Sequence, residues 1–200
     1  MLVAGLTGNY GMGKSRILAL FAKLGAYTFS SDKIVATLLT EKDILKKIRR
    51  VIGHDVFYKN GSLNKKKVAR LIFRDEALRR SLEDILHPLV FERINDILTA
   101  VDKSSIVVVE VPLLFERGYR KKFDKTITVF TDEETALKRL EKAGIKRTDA
   151  LLRLQSQLPI KEKMKRSDFI IDNNGSIRET TSRAEAIYKT LLTAAGHENH

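Results

Sequence analysis

Two periodicities take turns along this chain. Nearly unbroken apolar runs occur at LVAGLT (2–7), YTF (27–29), SIVVVEVPLLF (105–115), KTITVFT (125–131) and FII (169–171). Short runs without an alternating polar face suit strands covered on both sides. Between them, apolar residues recur at three- and four-residue spacing, as on a helix with one buried stripe. Ile17, Leu20, Phe21 and Leu24 make the first stripe, and Gly25 supplies its stop. TEKDILKKIRRVIG (40–53) is a second helix, with Thr40 and Asp43 at capping-box spacing and Gly53 at its end. Residues 62–101 read as helix, divided at HPLV because Pro88 cannot donate a helical N–H. DEETALKRLEKAG, TDALLRLQSQLP and residues 176–194 complete the helical set. Alternating strands and helices predict an α/β fold: a five-stranded, mostly parallel sheet with helices on both faces. Ligands in such sheets bind outside the carboxyl ends of the strands.

The first strand–helix junction carries the clearest chemistry. GNYGMGKS (8–15) has G-x-x-x-x-G-K-S spacing, with Gly8, Gly13, Lys14 and Ser15 at the fixed positions. Such a loop wraps a triphosphate in backbone N–H groups, aims its lysine at the outer phosphates and offers a hydroxyl to magnesium. It works between a buried strand and a helix N-terminus, whose dipole favours the anion. Both flanks are present. The loop glycines and the residues entering the helix, Gly8, Gly11, Met12, Gly13, Lys14, Ser15 and Arg16, are therefore the candidate nucleotide-binding set, with ATP and Mg²⁺ as cofactors.

Composition narrows the field. Two hundred residues, 43% hydrophobic and 31% charged, suit one domain of this class. There is no cysteine, so disulfides and thiolate metal sites are excluded. No run reaches the roughly 18 apolar residues of a membrane span, and the chain opens into a strand, so a cytoplasmic protein without a membrane partner is expected. The net charge of +12 admits nucleic acid or a small polyanion as partner. KKIRR (46–50), NKKKVAR (64–70) and RKK (120–122) lack the interleaved aromatics of a strand-binding face, so they read as surface and argue against nucleic acid. The closing GHENH reads as a frayed tail without metal-ligand partners.

The phosphate loop by itself serves GTPases, ATPases and kinases alike. A guanine-reading N-K-x-D is missing: NKKK at 64 lacks the aspartate, and the D-x-x-G at 172 comes too late for a GTPase. Two acids lie at predicted strand ends. Asp32 follows the second strand and reads either as a helix N-cap or as a base that accepts a hydroxyl proton. Glu110 ends the third strand and reads either as a solvent-facing acid or as a magnesium-side carboxylate.

GNYGMGKS, SSDKI, ILHPLV, VEVPLLFE and SQLPIKEKMKRSDFIIDNNGS, in this order and spacing, resemble the dephospho-coenzyme A kinases over nearly the whole chain. The resemblance implies a P-loop kinase fold in a single domain of three parts. These are a core of about residues 1–40, 102–145 and 166–200, an acceptor-binding helical lobe at about 55–101, and a lid at about 145–166. It implies transfer of the γ-phosphate of ATP to the ribose 3′-hydroxyl of dephospho-coenzyme A, the last step of coenzyme A synthesis. Another small-molecule or nucleoside kinase is the alternative, and a basic nucleic-acid-associated ATPase a more distant one. By the same resemblance Asp32 is the catalytic base, with Lys14 and Arg139 as the other catalytic residues. His87, Pro88 and Leu113 line the acceptor site, Ser15 and Glu110 serve the metal, and Asn174 and Gly175 form the turn beside adenine. Asn9, Tyr10 and Met12 depart from the family's Gly-Gly-Ile-Gly-Ser-Gly-Lys pattern, and Ser30 stands where it usually has a first aspartate. Asn9 is expected to tolerate left-handed backbone in that loop. Glu110 replaces a frequent aspartate, and Lys142 is the nearest residue to a second lid arginine.

Overall fold

Every apolar run becomes a strand: β1 Leu2–Thr7, β2 Tyr27–Ser30, β3 Ile106–Glu110, β4 Lys125–Phe130 and β5 Phe169–Asp172. The structure is a computed structural model that describes residues 1–196, without the side chains of Phe73 and Arg74. The polar GHENH tail expected to fray lies, beyond its glycine, outside the described residues. The strands form one five-stranded sheet in the order β2-β3-β1-β4-β5, and every pairing is parallel. Parallel strands need crossovers, and the helices provide them. Helix α1 spans Lys14–Lys23, α2 Ser31–Leu38, α3 Lys42–Ile52, α4 Lys65–Arg74 and α5 Glu76–Thr99. After β3 come α6 Glu133–Lys142, α7 Arg147–Gln155, α8 Ile160–Arg166 and α9 Ile177–Ala194. Among the described residues no helix is long and apolar enough to cross a membrane.

The chain divides into two compact units, one of residues 1–30 with 101 onward, the other Ser31–Ala100. The first holds the sheet. β1 and β3 are buried along their whole length. On one face Leu2, Ala4, Leu6, Ile106, Val108, Ile127, Val129 and Ile171 pack with Ile17 and Phe21 of α1 and Ala184, Ile187 and Leu191 of α9. The register sets Leu6 beside Glu110, Ser30 beside Glu110, and Phe130 beside Asp172. Four strand ends and the loop after β1 thus open on one edge of the sheet, the edge where ligands of such folds bind.

The second unit is helical, and here two local expectations give way. Thr40 does not cap α3. Its hydroxyl donates back to the Thr37 carbonyl at 2.7 Å, and Glu41 occupies the N-cap without a side-chain bond. Pro88 does not break the helix either. It lies inside α5, which runs unbroken for 24 residues because Leu82, Leu86, Val90 and Ile94 make one continuous buried stripe across it. The break falls instead at Asp75, whose carboxylate accepts the Leu78 N–H at 2.9 Å. Packing on both sides of the proline outweighs the one lost hydrogen bond. Around α5, Arg93 pairs with Glu41 at 2.9 Å, and the Arg49 guanidinium lies over the Phe57 ring at 4.4 Å.

Pro88 is exposed, so its removal leaves no cavity. Replacing it with alanine restores the N–H and is expected to stabilise the helical unit by as much as about 3 kcal/mol, the proline penalty in a helix interior. Chemical denaturation of Pro88→Ala beside the native chain checks this. A midpoint no higher than the native one means that the helix has already relaxed around the ring.

Candidate active site

The loop after β1 takes its shape from two close approaches. Gly8 has φ 147°, and a Cβ on it would lie 2.5 Å from the Val129 carbonyl oxygen. Gly13 has φ 89°, a left-handed N-cap for α1, and a Cβ there would lie 2.4 Å from the Asn173 amide nitrogen. No side chain fits at either point. The left-handed backbone that Asn9 could tolerate is not required of it, since no described non-glycine residue has positive φ. Its place in the loop is held by its carboxamide instead, which donates to the Leu158 carbonyl at 3.1 Å. The Met12 side chain is buried in the main core, so that residue contributes only backbone to the loop surface. Helix α1 then starts at Lys14, with Ser15 and Arg16 exposed in its first turn and its orphan N–H groups at the loop. Such a cradle fits a phosphate chain.

Asn173, which nothing in the sequence pattern singles out, braces this cradle. It is 4% exposed. Its amide donates to the Met12 carbonyl at 2.9 Å, its side-chain oxygen accepts from Thr180 at 3.3 Å, and its N–H donates to Phe130 O at 2.8 Å. Its own carbonyl accepts from Arg139 Nη2 at 2.9 Å, while Arg139 Nη1 donates to Thr131 at 3.2 Å. The guanidinium of Arg139 consequently stands beside Gly13, 3.9 Å from where a Cβ would lie. Lys14 Nζ donates to the Asn9 carbonyl at 3.2 Å, keeping a second cation against the loop. Asn174 turns away. Its oxygen accepts the Asp132 N–H at 2.8 Å and its own N–H groups donate to Asp172, so it ties the end of β5 to the segment after β4. Gly175 follows under the α9 capping box formed by Ser176 and Glu179.

Ser15 and Glu110 meet. The hydroxyl lies 3.4 and 3.5 Å from the two carboxylate oxygens, and Glu110 is 5% exposed. An alcohol and a carboxylate are hard oxygen donors of the kind Mg²⁺ takes, usually with waters and substrate phosphates completing the octahedron. Among the described residues no three His, Cys, Asp or Glu side chains gather as a complete protein cage. The donor set therefore fits a nucleotide-borne magnesium.

The segment expected to act as a lid contributes further contacts. Gln157 accepts the Tyr10 N–H at 2.8 Å, and the Arg153 guanidinium lies over the Tyr10 ring at 4.8 Å. Arg153, not Lys142, is thus the α7-side cation beside the loop; Lys142 is exposed at the end of α6. Leu113 is half-buried in the turn after β3. Asp32 lies in the first turn of α2, exposed, two residues along the chain from Ser30. His87 is half-buried on α5 next to exposed Pro88. Desolvation holds the His87 imidazole below its usual pKa of 6.5, against a smaller pull upward from Asp84.

Comparison with known proteins follows the same line as the geometry. The family model described as dephospho-CoA kinase matches residues 2–179. The chain is 34% identical over 188 residues to the dephospho-CoA kinase of Aquifex aeolicus, covering 94% of this chain and 96% of that one. A solved Thermus thermophilus protein superposes with TM-score 0.84 at 30% identity, over 95% of this chain and 97% of that one. The dephospho-CoA kinase of Campylobacter jejuni gives TM-score 0.69 at 27% identity, over 96% and 98%.

Two consequences are open to measurement. Asn173→Ala takes the amide donor from the Met12 carbonyl, leaving it the 3.4 Å bond from the Thr131 hydroxyl, and removes the acceptor of the buried Thr180 hydroxyl, so it is expected to cost about 1–3 kcal/mol of stability. Titration calorimetry should also find ATP bound at least tenfold more weakly; unchanged affinity would show that the loop holds its shape unaided. For His87, the unfolded chain takes up a proton more readily than the folded one. Stability is therefore expected to fall as pH drops through 6.5 and below. His87→Gln should flatten that part of the profile in denaturant titrations run from pH 7.5 to 5.

Proposed function

The chain belongs to the dephospho-CoA kinase family, and from that premise we propose that it transfers the γ-phosphoryl group of ATP to the ribose 3′-hydroxyl of dephospho-coenzyme A. The products are coenzyme A and ADP, and the reaction is the last step of coenzyme A biosynthesis, in the cytoplasm. The observation that carries the reading is the glycine loop at Gly8–Ser15. It lies at the carboxyl edge of a parallel sheet, with Lys14 and Arg139 beside it and Ser15 facing Glu110.

Phosphoryl transfer needs positioning and charge stabilisation more than covalent chemistry. Gly11, Met12, Gly13, Lys14, Ser15 and Arg16 bind the phosphate chain, the backbone N–H groups of Gly11, Gly13, Lys14 and Ser15 donating to its oxygens, and Gly8 lets the chain turn tightly enough to present them. Lys14 neutralises the outer phosphates. Arg139 stabilises charge on the transferring group, its fork oriented by Thr131 and the Asn173 carbonyl. Ser15 and Glu110 would hold Mg²⁺, which would supply neutralisation of phosphate charge when bound. Asn174 and Gly175 form the turn beside the adenine. In the acceptor half, His87, Pro88 and Leu113 hold the substrate, and Asp32 accepts the 3′-hydroxyl proton as the oxygen attacks. Residues about 145–166 close over the reactants and exclude water.

Asp32→Asn keeps the shape but not the basicity of the side chain. Turnover of dephospho-coenzyme A, read as ADP release, is expected to fall by about 10²- to 10⁴-fold with ATP affinity unchanged. A mutant that turns over at the native rate removes Asp32 from the mechanism. Native protein that releases no ADP with dephospho-coenzyme A, yet does so with another alcohol, removes the proposed substrate.

A further inference from the structure

Among the described residues one lysine is completely buried. Lys163 of α8 is 0% exposed, although it stands in the strongly basic run KEKMKR. Its ammonium group donates to the Pro112 carbonyl at 2.9 Å and pairs with Glu116 Oε1 at 2.8 Å. Desolvation pulls its pKa down, and Glu116 opposes that shift.

The partners of this ammonium are themselves connected. Pro112 O also accepts the hydroxyl of Thr7, the last residue of β1, at 3.1 Å. Glu116 Oε1 also accepts the Leu158 N–H at 3.0 Å. The carbonyl of Leu158 takes the Asn9 carboxamide at 3.1 Å. A closed polar circuit therefore runs from the strand before the phosphate loop, through the turn after β3, into the segment entering α8, and back into the loop at Asn9. Lys163 is the only cation in that circuit among its described members, and Asn9 is one of the residues by which this loop departs from the pattern it resembles.

A buried ion pair is a poor source of stability, since desolving two charges costs about as much as their attraction returns. What such a pair can do is fix geometry, because its members tolerate few other arrangements. The two segments fixed here carry the phosphate loop and Leu113. Resting on the function proposed above, we propose that Lys163 is a positioning residue for phosphoryl transfer: through Glu116, Pro112 and Leu158 it locks the phosphate loop and the turn after β3 into one frame.

Misplacing reacting groups by as little as about 1 Å can cost about 10²-fold in rate. Lys163→Met preserves side-chain length and removes the charge. Its folded fraction, counted by nucleotide-site titration, is expected to show kcat lowered at least tenfold, with a smaller effect on KM for ATP. Asn9→Gly opens the circuit at its other end and should lower kcat at least threefold. The double variant should lose little more than Lys163→Met by itself, because both cuts break one circuit. A lysine that serves only the fold would instead lower the melting temperature and leave kcat of the folded molecules within twofold of native, which overturns the proposal. Additive losses in the double variant overturn it too.

Should Lys163→Met fail to fold, Glu116→Gln and Asn9→Gly carry the same test, and native kcat in both is the overturning result. Hydrogen exchange at the Leu158 amide is the readout that needs no acceptor. Glu116→Gln and Lys163→Met should each speed it at least tenfold, and native protection in both sinks the circuit whatever the substrate is. Native protein inactive on dephospho-coenzyme A, with the exchange result as expected, would overturn the functional reading and leave the circuit standing.

Discussion

The site depends on one close approach, the contact of the Gly13 backbone with the Asn173 carboxamide. A phosphate cradle must aim several N–H groups at one small volume, and a flexible loop does so only part of the time. Here the loop is pressed against a buried amide that holds the Met12 carbonyl at 2.9 Å, so that carbonyl is turned away from the side where an anion would meet it. The asparagine is in turn fixed by Thr180, by the Phe130 carbonyl and by Arg139. The loop is shaped less by its own glycines than by the far strand, β5, reached through a residue 161 positions away. The glycines allow this shape, and the asparagine selects it.

The same strand edge concentrates nearly all of the buried charge in this unit. Glu110, Lys163 and Arg139 lie in or next to an interior that is otherwise aliphatic and threonine-rich. Burying charge costs free energy, so its confinement to the carboxyl ends of the strands needs a reason. Strand ends are where the sheet's own hydrogen bonds run out, and charged side chains there satisfy carbonyls and N–H groups that the ladder leaves over. Lys163 does this for Pro112, Arg139 for Asn173 and Glu116 for Leu158. The groups that close the sheet are therefore also the ones that give the edge its rigid, preorganised field.

Strands and the phosphate loop were legible because each is a local pattern: an apolar run, a glycine spacing, a helical stripe that begins on time. What could not be read was long-range or energetically marginal. Pro88 looks like a boundary in any local reading, yet a stripe from Leu82 to Ile94 holds the helix together across it. Thr40 has the spacing of a cap, but a bond to Thr37 was available one turn earlier. Asn173 sits inside the very IDNNGS stretch that carries the family resemblance, next to Asn174, the residue that the resemblance points to. Only the fold tells which of the two neighbours faces the loop. Lys163 is the extreme case, since no feature of KEKMKR distinguishes the buried lysine from the exposed ones around it.

The loop's departures from the family pattern also acquire a physical reading from their partners. A glycine at position 9 would leave the backbone freer in the unfolded chain and give the Leu158 carbonyl nothing to accept. Asparagine narrows that freedom and adds the bond, and tyrosine at position 10 offers a ring on which Arg153 rests. Both substitutions move the ordering of the loop from the moment of binding to the moment of folding. Affinity gained this way comes from lower ordering cost and not from new contacts with the ligand. A loop held by side chains yields less easily, however. In this chain residues 153–158 and the phosphate loop are bonded partners, so any movement of that segment must either carry the loop with it or break the Leu158 and Gln157 contacts first. The coupling that prepares the cradle is thus the same coupling that any departure of this segment from the loop must undo.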